Sequence, residues 1–248
     1  EKKRDVARLR LQRGAQAMAK LSHPNVVSVH DVGHYEGQIF VAMAYLPGGT
    51  LKSAFDAKGW TWEQTLGVLC DAGEGLAAAH EAGLVHRDFK PDNVILDGQG
   101  RPKVVDFGLV RATDSVSESE AVEETHDTHT SGALSTSVTR VGAVMGTPAY
   151  MAPEQHMGRE ATPLSDQFSF CVTLFEGLYG RTPFPASGLM ELAQRVLAGD
   201  IEAPPAETGV PSHVREAIYR GLHIDPTQRF ANMAELLAAL RDDRRGRK

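Results

Sequence analysis

The chain has 248 residues, 42% of them hydrophobic, and a net charge of −6 at pH 7. It is long enough for one large domain or two lobes around a sizeable core, and no uncharged apolar run nears the roughly 18 residues of a membrane span. The acidity is local: residues 112–139 hold six acids and no Lys or Arg, and without them 26 acids face 26 bases. This pattern argues for one solvated loop, not a basic partner for the whole fold, and gives no sign of nucleic-acid binding.

Residues 5–20 read as a helix, with Leu11, Ala15, Met18 and Ala19 at helical spacing, ended by Ser22-His23-Pro24-Asn25. Its charged start, Glu1-Lys2-Lys3-Arg4-Asp5, is unlike a signal peptide. Residues 26–32 and 38–45 are rich in β-formers and read as a hairpin. Pro47-Gly48-Gly49 then breaks the pattern as a linker between lobes.

Beyond it the pattern is mainly helical. Thr61-Trp62-Glu63-Gln64 is a capping box opening a helix that Gly83 stops. Short strands are predicted at 84–85, 94–96 and 103–105, the last two joined by an Asp97-Gly98-Gln99-Gly100 turn. The span 112–139 is Ser/Thr/Glu-rich and aromatic-poor, a solvated segment; His126, Asp127 and His129 read as part of it rather than as metal ligands. A helix over 165–179 places Phe168, Cys171, Val172, Phe175 and Tyr179 on one face, and Asn232-Met233-Ala234-Glu235 offers a capping box for the last helix. Cys70 and Cys171 lie in apolar helical stretches, which reads as buried thiols of a reducing compartment and predicts a cytoplasmic location.

The densest chemistry lies in His86-Arg87-Asp88-Phe89-Lys90-Pro91-Asp92-Asn93 and Asp106-Phe107-Gly108. Asp88 is suited to take a proton from an attacking hydroxyl, and Lys90 to neutralise a moving phosphoryl group. Asn93 and Asp106 offer hard oxygens of the kind Mg²⁺ prefers. Arg87 is suited to bidentate phosphate binding. Ala152-Pro153-Glu154 follows at a plausible distance, and three such motifs in this order leave little room for chance.

On these motifs, with Leu21-Ser22-His23-Pro24-Asn25-Val26-Val27 and Gly146-Thr147-Pro148-Ala149-Tyr150-Met151-Ala152-Pro153-Glu154-Gln155, the chain resembles bacterial eukaryotic-like (Hanks-type) serine/threonine protein kinases. The resemblance implies an α+β, protein-kinase-like two-lobe fold. Residues 1–46 would be an incomplete small lobe (the helix called αC in that family, two strands and the hinge). Residues 47–240 would be a mainly helical large lobe with activation segment 106–154, followed by a basic tail at 241–248. It implies ATP and Mg²⁺ as cofactors and protein substrates. Asp88 would be the base, with Lys90 beside it and Asn93 and Asp106 holding the metal. Met43 would be the gatekeeper, Ala44, Tyr45 and Leu46 the adenine-binding hinge, and Ile95 part of the nucleotide cleft. Thr147 would support Ser/Thr selectivity. Asp166 would anchor the catalytic loop, and Glu154 would pair with Arg229. Met18, Val29, His86 and Phe107 would stack as the apolar regulatory column. Phosphate on Thr139, held by Arg87, would order the activation segment, which implies self-association for autophosphorylation.

Two departures from the family pattern stand out. The Gly-rich loop and the Ala-x-Lys strand that precede αC in that family fall outside the sequence, so the chain by itself is expected to bind MgATP weakly. The αC glutamate position holds Gly14, which can form no ion pair and costs a helix up to about 1 kcal/mol relative to Ala. They leave a rival reading of a different class, a pseudokinase acting as a scaffold. Against it stands the intact set Asp88, Lys90, Asn93 and Asp106.

Overall fold

The computed structural model describes residues 18, 21–35, 38–57, 59–107, 148–205 and 208–241. The expectations for Gly14, the acidic stretch 112–139 with Thr139, Thr147, and the last seven residues fall outside them, as does the first helix apart from Met18.

Two β-rich runs pair as the sequence predicts, with shifted ends. β1, Val29–Tyr35, runs antiparallel to β2, Gln38–Met43, with Val32 opposite Val41 and an irregularity between Val29 and Asp31. Val26, expected in this hairpin, instead bridges Val104 in parallel, and Val27 N–H donates to Val104 C=O at 3.0 Å. The His23–Val27 segment is thus attached to the large lobe. Asn25 strengthens the attachment: its C=O accepts from Val104 N–H at 2.8 Å, and its side-chain amide donates to Pro102 C=O.

After β2 the chain passes Gly48, where an added Cβ would lie 2.6 Å from Leu96 C=O. Only glycine lets the linker approach β3, Val94–Leu96, closely enough for Gly48 N–H to donate to Leu96 C=O and Leu96 N–H to Gly49 C=O. β3 pairs antiparallel with β4, Pro102–Val104. The turn between them closes on Asp97, whose Oδ1 accepts from Gln99 and Arg101 N–H.

The helices of the large lobe are α1, Leu51–Asp56; α2, Trp62–Glu81; α3, Pro153–His156; α4, Pro163–Tyr179; α5, Leu189–Ala198; α6, Ser212–Gly221; and α7, Met233–Arg241. The α2 capping box forms as expected: Thr61 Oγ1 accepts from Gln64 N–H, and Gln64 Oε1 accepts from Thr61 N–H. Its far end closes with two bonds, Leu84 N–H to Ala79 C=O and Gly83 N–H to His80 C=O, with Gly83 at φ 76°. That reversal sends residues 84–86 back along the helix as an irregular segment, not the strand expected there. At α7 Asn232 caps Glu235 N–H at 2.9 Å, but Glu235 reaches back to Ala231 N–H rather than to Asn232, so the box is shifted by one residue.

α4 departs most from its sequence reading. Every residue from Ser165 to Phe175 is buried, on all faces rather than one, because α2, α6 and α7 pack around it. Its polar members are satisfied internally: Ser169 Oγ donates to Tyr150 C=O, and Thr173 Oγ1 to Ser169 C=O. Cys171 is buried here and Cys70 in α2, both as free thiols, and burial raises the Cys70 pKa to about 11. Gly221 of α6 packs against Cys171 so tightly that an added Cβ would lie 2.2 Å from Sγ. Gly221→Ala is therefore expected to destabilise the fold by about 1–3 kcal/mol through overpacking; an unchanged urea midpoint would contradict this packing.

Candidate active site

The site is built on a buried carboxylate. Asp166 lies in the first turn of α4 and is 1% exposed. Its Oδ2 accepts from His86 N–H at 2.7 Å and contacts His80 Nε2 at 2.8 Å, while Oδ1 accepts from Arg87 N–H at 2.7 Å. Two consecutive peptide units of an irregular segment are thereby fixed to the central helix. Asp166 is expected as an anchor by resemblance, and its contacts are these two backbone N–H groups and the His80 ring. His80 was not singled out from the sequence as a partner; its signal was a lone histidine near the end of α2, one turn before Gly83.

His86 extends the clamp. It is fully buried and packs against Phe107 at 4.8 Å and Phe89 at 5.7 Å between ring centroids. Its Nε2 lies 2.8 Å from Val105 C=O, which can only accept, so the proton sits on Nε2. Nδ1 then accepts from Asp88 N–H at 3.3 Å. Both ring bonds use the neutral form, and burial lowers the imidazole pKa despite the nearby Asp166 carboxylate. Met18 is buried, and Val29 packs partly buried against the same core.

The neutral ring has a pH consequence. Below the unfolded value of about 6.5 the unfolded chain binds a proton that folded His86 refuses, so stability is lost as pH falls through the lowered folded pKa. His156, also lowered by burial, acts with the same sign in the same window. Melting temperature is expected to decline from about pH 7 to pH 5, and His86→Phe should flatten part of that slope. An unchanged slope would contradict the assignment.

Val105 lies between two bonds, its C=O on His86 and its N–H on Asn93 C=O at 3.0 Å. This brings Asp106 beside Asn93. Asn93 is held by its own amide, whose Nδ2 donates to Asp88 C=O at 2.8 Å and lies 3.4 Å from Asp88 Oδ2. Among the described residues its Oδ1 and the Asp106 carboxylate make no hydrogen bond; both are hard oxygen donors of the type Mg²⁺ takes. Lys90 Nζ donates to Asp88 Oδ2 at 2.8 Å, with the lysine 15% and the aspartate 33% exposed. The predicted Asp88, Lys90, Asn93 and Asp106 thus converge. Arg87 and Asp106 adopt positive φ, 72° and 59°, the only non-glycine residues to do so among those described. Such strain persists where surrounding bonds over-determine the backbone, and it clusters at functional sites.

The remaining expected residues are distributed around this centre. Ile95 sits in β3, half-buried. Ala44 and Leu46 are half-buried after β2, with Ala44 N–H on Ser28 C=O at 3.0 Å, whereas Tyr45 is 88% and Met43 37% exposed. Glu154 and Arg229 form a bidentate pair, with both contacts at 2.9 Å and the Arg side chain wholly buried. Burial pushes the Glu154 carboxyl up, but the Arg229 guanidinium and Ser165 Oγ outweigh it and hold the pKa below the usual range. Near the same segment, the Tyr150 hydroxyl donates to Glu176, and burial followed by this bond drives the phenol pKa strongly upward.

A family model described as protein kinase domain matches residues 1–239, and the chain belongs to that family. It is 34% identical to serine/threonine-protein kinase PknA of Mycobacterium tuberculosis over 245 residues, covering 95% of this chain and 52% of that protein. Serine/threonine-protein kinase PrkC of Bacillus subtilis is 31% identical over 236 residues, 94% of this chain and 33% of that protein. Probable serine/threonine-protein kinase PkwA of Thermomonospora curvata is 36% identical over 244 residues, 98% and 29%. The chain therefore spans about half the length, or less, of these relatives.

Proposed function

We propose that this chain is the catalytic part of a protein serine/threonine kinase, transferring the γ-phosphoryl group of ATP to Ser or Thr hydroxyls of protein substrates. The observation that carries the reading is the convergence of Asp88, Lys90, Asn93 and Asp106 on a segment clamped by buried Asp166 and His86. In this reading Asp88 accepts the proton of the substrate hydroxyl as its oxygen attacks the γ-phosphorus and the bond to the leaving ADP oxygen breaks. Lys90 neutralises charge on the moving group. Asn93 Oδ1 and the Asp106 carboxylate would hold Mg²⁺, which supplies charge neutralisation at the phosphates. The backbone of residues 44–46, with Met43 and Ile95, would receive the adenine, and Thr147 would favour Ser and Thr acceptors. Arg87 and Thr139 would form the phosphate switch, acting between copies during autophosphorylation. A cytoplasmic location fits the two free buried thiols, and no described helix is long and apolar enough to cross a membrane.

The relatives are all named as kinases, which weighs for this reading over a scaffold. The test is phosphopeptide mapping after incubating the full-length gene product with MgATP and a generic protein substrate. Phosphate on Ser and Thr, including Thr139 of the protein itself, is expected. Phosphate only on Tyr, or none, would contradict the reading.

A further inference from the structure

Gln155 is buried in α3, on the far side of the activation segment from the catalytic loop in sequence, yet its side chain joins the two. Oε1 accepts from Ala152 N–H at 3.0 Å, and Nε2 donates to Arg87 C=O at 2.9 Å. The partners fix the amide orientation, because a backbone N–H can only donate and a carbonyl can only accept. Arg87 C=O belongs to the peptide plane that carries Asp88 into position. The N–H of that same plane is held by His86 Nδ1, and the N–H groups of the two planes before it are held by Asp166. Arg87 sits at φ 72°, a conformation a non-glycine residue keeps only under external constraint. Gln155 supplies the constraint on the carbonyl side, and it comes from the helix next to the Glu154–Arg229 pair.

We propose that Gln155 is a positioning residue for Asp88: its amide locks the Arg87–Asp88 peptide plane to α3, so that the placement of α3 sets the direction of the base. The inference rests on the kinase reading of Asp88. The Oε1 bond also closes the N-terminus of α3, but the helix has other holds: Gln155 N–H and His156 N–H bond Ala152 C=O, and the Glu154–Arg229 pair anchors it. The nearest competing account is simple satisfaction of a buried carbonyl, which predicts lost stability without lost turnover per folded molecule.

The test compares the full-length protein with Gln155→Met, which removes both side-chain bonds at similar volume, and Gln155→Glu, which keeps the acceptor but loses the donor. Turnover is normalised to MgADP-binding sites, so that unfolded protein is not counted. In both variants kcat per site is expected to fall roughly 10- to 100-fold, the scale of a small misplacement of a catalytic group, with KM for ATP within about twofold. For Gln155→Glu the ratio to wild type should rise as pH is lowered, because a buried carboxyl has a raised pKa and its protonated form regains an O–H donor. Hydrogen exchange in residues 84–93 should accelerate in Gln155→Met. Wild-type kcat per site in either variant, or a Gln155→Glu ratio flat in pH, overturns the inference. If the wild-type protein transfers no phosphate, the kinase reading fails separately, and the exchange data alone decide: unchanged protection of residues 84–93 overturns the clamp.

Discussion

Asp88→Asn in the full-length protein is expected to lower kcat for phosphoryl transfer by about 10²–10⁴-fold, the usual worth of a general base, while MgADP affinity stays within about twofold. The substitution keeps the shape of the side chain and its backbone placement, since Asp88 N–H still bonds His86 Nδ1. It removes the anion that Lys90 Nζ contacts at 2.8 Å and the only basic oxygen pair in that position. Asn93 Oδ1 and the Asp106 carboxylate, proposed to hold the metal, are not themselves altered. Steady-state kinetics with calorimetric MgADP titration separates the two effects. More than a tenth of wild-type turnover would remove Asp88 as the base; a parallel collapse of nucleotide binding would show that its carboxylate holds the site together instead.

Arg229→Ala is expected to cost about 3–5 kcal/mol, because it leaves the Glu154 carboxylate buried against Ser165 alone. The guanidinium also donates to His223, Leu164 and Ile224 carbonyls and lies over the Phe168 ring at 5.1 Å, so its removal opens a hole beside the central helix. At about 2–4 °C per kcal/mol for a domain of this size, the melting temperature should fall by about 6–20 °C. Glu154→Gln/Arg229→Met, which removes both charges, should cost less than the sum of the single changes. A single-variant melting temperature within about 2 °C of wild type would contradict a buried pair.

The chemistry was more legible in the sequence than the packing was. Asp88, Lys90 and Asn93 lie within six residues of one another, so their convergence follows from local chain geometry, and Asp106 follows one hairpin later. The Thr61–Gln64 cap was legible for the same reason: its physics spans one helical turn. Contacts between remote segments were different. The Glu154–Arg229 pair came only from resemblance, and the Gln155–Arg87 bond had no local signal, since nothing in an Ala-Pro-Glu-Gln run says which carbonyl its amide will meet. α4 was misread because periodicity finds one apolar face, whereas its buried Gln167, Ser169 and Thr173 are satisfied by backbone carbonyls and Ser165 by the Glu154 carboxylate, partners that a one-face pattern does not reveal. Residues 84–85 carry strand-like composition, but after the closure at Gly83 they run to the Asp166 bond on His86 N–H without pairing with a strand among the described residues.

By the family resemblance Gly14 stands where a glutamate is expected, and the cluster of Asp88, Lys90, Asn93 and Asp106 weighs for the transferase reading over the scaffold. A scaffold has no chemical need for Lys90 on the Asp88 carboxylate, an Asn93 Oδ1 without a partner among the described residues and an Asp106 at positive φ, whereas the proposed transferase would use all three. The most direct test is a single-turnover, rapid-quench measurement of γ-phosphoryl transfer from MgATP by the full-length protein, normalised to nucleotide-binding sites. A transfer rate on the order of 1–100 s⁻¹, as kinases show, abolished by Asp106→Asn, is the expected result. Stoichiometric MgATP binding with no transfer above the Asp106→Asn background would contradict it and leave the chain a nucleotide-binding scaffold.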